Sequence, residues 1–168
     1  MSASIRILGI DPGSQITGYG IVDCRSGTVR TVTYGSVRTR GEHTQRLREI
    51  FEAFEILVRE HRPDEIAIER VFVSRNADSA LKLGQARAAA LCGTFVAAAE
   101  VHEYSPRHIK KAVVGTGAAE KAQVQQMISM QLGIRDPVQA DAADALAVAL
   151  CHAHSRQTNA VLLAAARA

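Results

Sequence analysis

Ile5-Arg6-Ile7-Leu8-Gly9-Ile10-Asp11-Pro12-Gly13-Ser14-Gln15-Ile16-Thr17-Gly18-Tyr19-Gly20-Ile21-Val22 is the stretch around which the other segments are read. Ile5 to Ile10 predicts a largely buried strand, because apolar and β-branched residues dominate and the run is too short for a helix. Asp11 ends it, directly before Pro12-Gly13, where a turn must begin. An ionised carboxylate at the tip of a central strand is costly unless a cation or hydrogen-bond donors compensate it. Alone, Asp11 reads either as such a site or as an Asx-type turn starter capping Pro12-Gly13. Further carboxylates downstream decide between the two.

Gly18 to Cys24 predicts a second strand, turning at Arg25-Ser26-Gly27 into a third from Thr28 to about Val37, in an antiparallel meander. From Thr44, the residues Leu47, Ile50, Phe51, Phe54, Leu57 and Val58 recur at helical spacing until Pro63 stops them. The strand after Pro63 is reached through that helix, so it pairs parallel to an earlier one. It ends at Glu69, the position Asp11 holds on the first strand, and ligands of α/β sheets gather beyond such strand ends. The alternative for Glu69 is an ion pair with Arg70 or Arg75. Phe72, between those arginines, suits either stacking on an exposed base or closing the loop as a core aromatic.

An Ala-rich helix is expected from about Ala77 to Glu100. Its small residues, Gly84 and Gly93 among them, fit either a helix or subunit contact or tight packing on the sheet. Val101 to Tyr104 is a short fifth strand, and Ser105-Pro106 starts a helix through Val114 that carries Lys110 and Lys111. His108 precedes them. A further helix from about Ala119 to Leu132 places Lys121 in its first turn. A cation there opposes the helix dipole, which favours an external anion as its partner. Asp136-Pro137-Val138-Gln139 resembles a capping box, and the last helix then runs to about His154. On it, Asp141 and Asp144 at i and i+3 share one face. They either complement the dipole or share a bound cation. His152 and His154 suit the helix end. The reading is one domain over 1–155 and a frayed or loosely docked tail over 156–168.

Composition narrows the class. A chain of 168 residues with 47% hydrophobic and 22% charged residues is globular. Its longest apolar and small-residue run, Ala88 to Ala99, is 12 residues, short of the roughly 20 needed to span a bilayer. The N-terminus lacks a secretion signal. Cys24, Cys92 and Cys151 are odd in number and far apart, the expectation for reduced core cysteines of a cytosolic protein. Residues 70–121 carry eight Lys/Arg against four acids, while the remainder is net negative by one charge. A basic middle fits a phosphate-rich partner or a merely solvated surface.

Asp11, Glu69, Asp141 and Asp144 are hard oxygen donors with no thiolate beside them, which points to Mg²⁺ or Mn²⁺ rather than zinc. Two such ions about 4 Å apart stabilise the attacking and leaving oxygens of displacement at phosphorus. Nearby basic residues would hold the polyanion.

Six motifs together resemble the RuvC family of bacterial Holliday junction resolvases. They are Gly-Ile-Asp-Pro-Gly-Ser at 9–14, Thr-Gly-Tyr-Gly at 17–20, Ala-Ile-Glu-Arg-Val-Phe at 67–72, the run Asn76 to Arg87, Val113 to Lys121, and Gln139 to Ala147. The resemblance covers about residues 5 to 154. It implies a ribonuclease H-like α/β fold: a five-stranded mixed sheet, three strands antiparallel, flanked by helices. It implies metal-dependent, symmetric nicking of two like-polarity strands of a four-way DNA junction by a homodimer, leaving 5′-phosphate and 3′-hydroxyl ends. By position, Asp11, Glu69, Asp141 and Asp144 match the family's metal-binding catalytic acids, which hold two ions per active site. Phe72 matches its base-stacking aromatic, and Lys110 and Lys121 its supporting basic residues. Arg75 and Asn76 are added as DNA contacts from their place beside Phe72. The implied partners are RuvA and RuvB, the branch-migration complex.

Two other readings compete. Asp-Pro-Gly-Ser-x-x-Thr-Gly resembles the phosphate loop of actin-like ATPases, but those need two lobes and this chain has length for one. A non-catalytic junction-binding module is expected to have lost a carboxylate, and all four are present.

Overall fold

β1 (Ile5–Asp11) is the middle strand of a five-stranded sheet ordered β3-β2-β1-β4-β5. The computed structural model describes residues 4–71 and 76–166. β2 (Ile16–Arg25) and β3 (Thr28–Arg38) complete an antiparallel meander. The hairpin between them turns on Ser26 and Gly27, whose φ values of 48° and 80° give the sense of twist a two-residue hairpin favours. α1 (His43–His61) crosses over to β4 (Glu65–Glu69), and α2 (Ala77–Thr94) to β5 (Glu100–Tyr104). Both added strands run parallel to their neighbours, as helical crossovers require. α3 (Pro106–Val114), α4 (Lys121–Leu132) and α5 (Ala140–Ala165) follow. Five strands with three antiparallel, flanked by helices, is the ribonuclease H-like arrangement.

Alternation along the strands divides the core. Leu8 and Ile10 of β1 and Ile66 and Ile68 of β4 pack with Ile50, Phe54 and Val58 of α1 and Ala86 and Ala90 of α2. Ile7 and Ala67 face the other way, into a core built with α3, α4 and α5. α5 is buried nearly all round from Ala142 to Ala153, as befits a helix that is apolar on every side. Two glycines let it lie against the sheet. A Cβ on Gly9 would stand 2.3 Å from the Ala145 carbonyl oxygen, and one on Gly18 would stand 2.0 Å from that of Asp141. Both are impossible contacts, so glycine there fixes the depth of α5.

Several boundaries differ from expectation. α2 stops at Thr94 and does not reach Glu100, because Phe95 N–H turns back to the Cys92 carbonyl and Thr94 Oγ1 to that of Leu91. The expected cap at Asp136 is not used. Helix α5 begins at Ala140, with the Ala143 amide on the Gln139 carbonyl, and the Gln139 side chain is tied to Ser36 and Arg38 of β3. At its far end α5 runs on past His154 to Ala165. Arg156 pairs with Glu65 and Gln157 lies over Gly27, so the expected boundary at 155 falls inside a docked helix. Cys92 is exposed, contrary to a core role, whereas Cys151 is buried. Gly93 faces α1, where a Cβ would meet the Phe51 carbonyl at 2.4 Å, while Gly84 has no neighbour within 4 Å. Among the described residues no helix is long and apolar enough to cross a membrane.

Candidate active site

Strand parity and the depth of α5 bring the acids together. Ile10 and Ile68 are the last paired residues of β1 and β4. Asp11 and Glu69 each follow by one position, which turns both side chains to the face under α5. Asp144 looks down from the second turn of α5 and Asp141 stands in its first turn. Asp11, Glu69 and Asp144 line a cavity of about 220 Å³ together with Lys110 of α3 and Lys121, the first residue of α4. Pro106, Ile109, Val124 and Ala147 form its apolar walls. Asp141 stays outside this lining, yet its charge acts on both Asp11 and Lys121. A wider cleft, about 1080 Å³, lies between α3 and the C-terminal half of α5, and no carboxylate lines it among the described residues.

Some of the alternatives now separate. Among the described residues, the Pro12-Gly13 turn is held by Thr17, whose Oγ1 accepts from Gly13 N–H at 3.3 Å and donates to the Gly13 carbonyl at 2.8 Å. Asp11 is not the turn's staple. Arg70 pairs with Glu103, not Glu69, and Arg75, the other partner considered for Glu69, lies outside the described residues. Lys121 needs no external anion to explain it, since its Nζ donates to Asp144 Oδ2 at 2.6 Å.

That ion pair leaves the site short of positive charge. The Asp11 carboxyl is pushed up to about 7, by burial first and then by the charges of Asp144 and Glu69, with Lys121 acting against them. Glu69 is raised too, by burial and then Asp144, against Lys110 and Lys121. Lys121 is raised by its bond to Asp144. Hard anionic oxygens under-served by cations are a donor set that a small divalent ion fits. Asp11, Glu69, Asp144 and the nearby Asp141 are the candidates for that role; the first three share a cavity but, among the described residues, no three of the four bring ligand atoms within 4.8 Å of one another.

Of the expected DNA contacts, Phe72 and Arg75 lie outside the described residues. Asn76 is the N-cap of α2, its side-chain oxygen accepting from the Asp78 and Ser79 amides at 3.0 and 3.2 Å. Gly9 and Gly18 have a role that spacing alone does not reveal, although a close helix approach is a standard reason for glycine inside a strand. His152 is not a helix-end residue: it is buried against Glu65 and Tyr104. The period-2 step from Glu69 back to Glu65 was the available signal.

A family model described as crossover junction endodeoxyribonuclease RuvC matches residues 7–152. The chain belongs to the RuvC family. It is 53% identical over 154 residues to the RuvC of Methylococcus capsulatus (strain Bath), covering 91% of this chain and 93% of that one. It is 54% identical over 153 residues to the RuvC of Shewanella sp. (strain MR-4), covering 90% and 88%. The solved structure of Thermus thermophilus RuvC in complex with a Holliday junction substrate superposes with a TM-score of 0.86 at 31% identity, over 92% of this chain and 96% of that one. The ribonuclease H-like fold and the enzyme class, crossover junction endodeoxyribonuclease, follow from this membership.

Proposed function

We propose that this RuvC-family endonuclease resolves four-way DNA junctions through metal-dependent nicks placed symmetrically in two like-polarity strands, leaving 5′-phosphate and 3′-hydroxyl ends. The observation that carries the site assignment is the convergence of Asp11, Glu69 and Asp144 on one cavity whose cationic lining is Lys110 and Lys121. Asp11, Glu69, Asp141 and Asp144 would hold Mg²⁺, or Mn²⁺, as two ions per site. Such ions would activate water as the nucleophile at neutral pH and stabilise charge on the attacking and leaving oxygens. The carboxylates fix that donor set on rigid elements, with Asp11 and Glu69 on adjacent strands. Lys110 and Lys121 lie beside them and bind the scissile phosphate. Lys121, now paired with Asp144, would be placed to meet developing negative charge if a cation took over that carboxylate.

Phe72 stacks on a base at the junction, and Arg75 and Asn76 contact the adjoining strand. Two nicks of like polarity require two sites, hence a homodimer. The outer face of α2 supports this, since Leu81 is 68% exposed and Gly84, one turn on, has open space around it. The partners that move the junction are RuvA and RuvB, in the cytoplasm. The test is end-labelled four-way DNA incubated with and without Mg²⁺ or Mn²⁺, each strand mapped. Paired symmetric nicks that require metal support the reading. Binding without nicks, or equal cutting of plain duplex, would overturn it.

A further inference from the structure

The far end of β4 carries a different constellation. Glu65 begins β4 on the same face as Glu69, about 13 Å away at the usual strand rise. His102 lies across from Ala67 on β5, and His152 comes down from α5. One ligand atom from each of Glu65, His102 and His152 falls within 4.8 Å of the other two. The imidazoles are stacked with centroids 4.3 Å apart. Nε2 of His102 is buried and has no hydrogen-bond partner among the described residues. Glu100 stands directly opposite Glu65 in the β4–β5 register, and its Oε2 is 3.8 Å from that same Nε2. Of these two facing carboxylates, Glu65 is paired with Arg156, while Glu100 meets the His102 ring.

We infer that Glu65, His102 and His152 form a second metal site, of the zinc class, with Glu100 or water as the fourth ligand. Two imidazoles and one or two carboxylates suit Zn²⁺, Co²⁺ or Ni²⁺ and not Mg²⁺. The outer partners that such ligands need are already in place. Tyr104 Oη lies 2.7 Å from His152 Nδ1, and Arg156 holds Glu65 by Oε1, leaving Oε2 to face inward 2.6 Å from His152 Nε2. Metal entry shifts the His152 proton from Nε2 to Nδ1, where it is donated to Tyr104 Oη, so no net proton leaves the imidazole. Burial and the neighbouring His102 favour the neutral ring, against the pull of Glu65. Tetrahedral ligation at zinc distances sets the donors ~3.3 Å apart, a contraction within reach of small side-chain rotations. A metal there clamps β4 and β5 to the middle of α5, remote from the four acids.

The test uses untagged full-length protein, stripped with chelator and dialysed against Zn²⁺ or Co²⁺ in excess Mg²⁺. The expected result is one bound Zn²⁺ per chain, a visible d–d band with Co²⁺, and a Zn²⁺-dependent rise in Tm. His102→Phe keeps a stacking ring and removes the donor. It loses the equivalent of Zn²⁺, the band and the Tm rise, while junction cleavage in Mg²⁺ is unchanged. Asp11→Asn keeps all three signals. No retained Zn²⁺ in the wild type, equal retention in His102→Phe, or loss in Asp11→Asn would each overturn the inference.

Discussion

Glu65 and Glu69 occupy opposite ends of β4, on one face, beneath the same helix, and they respond to that burial in opposite ways. Burial disfavours ionisation at both. At Glu65 the bonds to His152 and Arg156 outweigh it and hold the carboxyl below its ordinary value. At Glu69 burial is reinforced by Asp144 and only partly offset by Lys110 and Lys121, and the carboxyl is raised. The first end is charge-balanced by its own protein partners in the metal-free chain; the second is not. Position on a strand therefore does not decide how a carboxylate ionises. The balance of charge around it does.

The sharpest way to break this contrast is Asp144→Asn, which removes an anionic ligand and the partner of Lys121. It is expected to lower junction cleavage by at least ~10²-fold with junction affinity largely retained, measured by single-turnover nicking beside gel-shift binding. Lys121→Met comes next. It should cost about 10- to 100-fold in cleavage, read in the same assay. Glu65→Gln acts at the other end. It should reduce stability by about 1–3 kcal/mol, through weakened charge-assisted bonds, in urea unfolding, and leave the Mg²⁺-dependent rate unchanged.

The last effect is one of pH. The Asp11 carboxyl sits at about 7 in the folded chain against an ordinary 3.8, so the fold binds a proton the unfolded chain has released. Its cost to stability is absent below about pH 4, grows as pH rises, and is complete above about pH 7. Without divalent metal, Asp11→Asn should therefore be more stable than wild type at neutral pH, by roughly 2–4 °C in Tm for each kcal/mol of repulsion removed. The two should converge near pH 4, as chelator-treated melts across that range will show.

Much of this was legible in the chain. Asp11 and Glu69 could be placed at strand ends because β-branched runs met Pro-Gly or followed a proline stop. Asp141 and Asp144 could be paired because i and i+3 share a face wherever the helix begins. That beginning was misread. Asp136-Pro137 imitates a cap, but Gln139 is held by Arg38 and Ser36 of a strand a hundred residues earlier in sequence, and no local pattern encodes that contact. The end of α5 was cut short for a similar reason, since the Arg156–Glu65 pair that docks it is tertiary. His152 looked like a dipole partner until the fold buried it against Glu65.

The most direct test of the charge contrast is a ¹³C NMR titration of the Asp11 carboxyl in the metal-free protein and again in saturating Mg²⁺. The account predicts a midpoint near 7 without metal, falling by more than one unit when Mg²⁺ is present. An Asp11 that titrates in the ordinary carboxylate range without metal, or one that Mg²⁺ does not move, would contradict it.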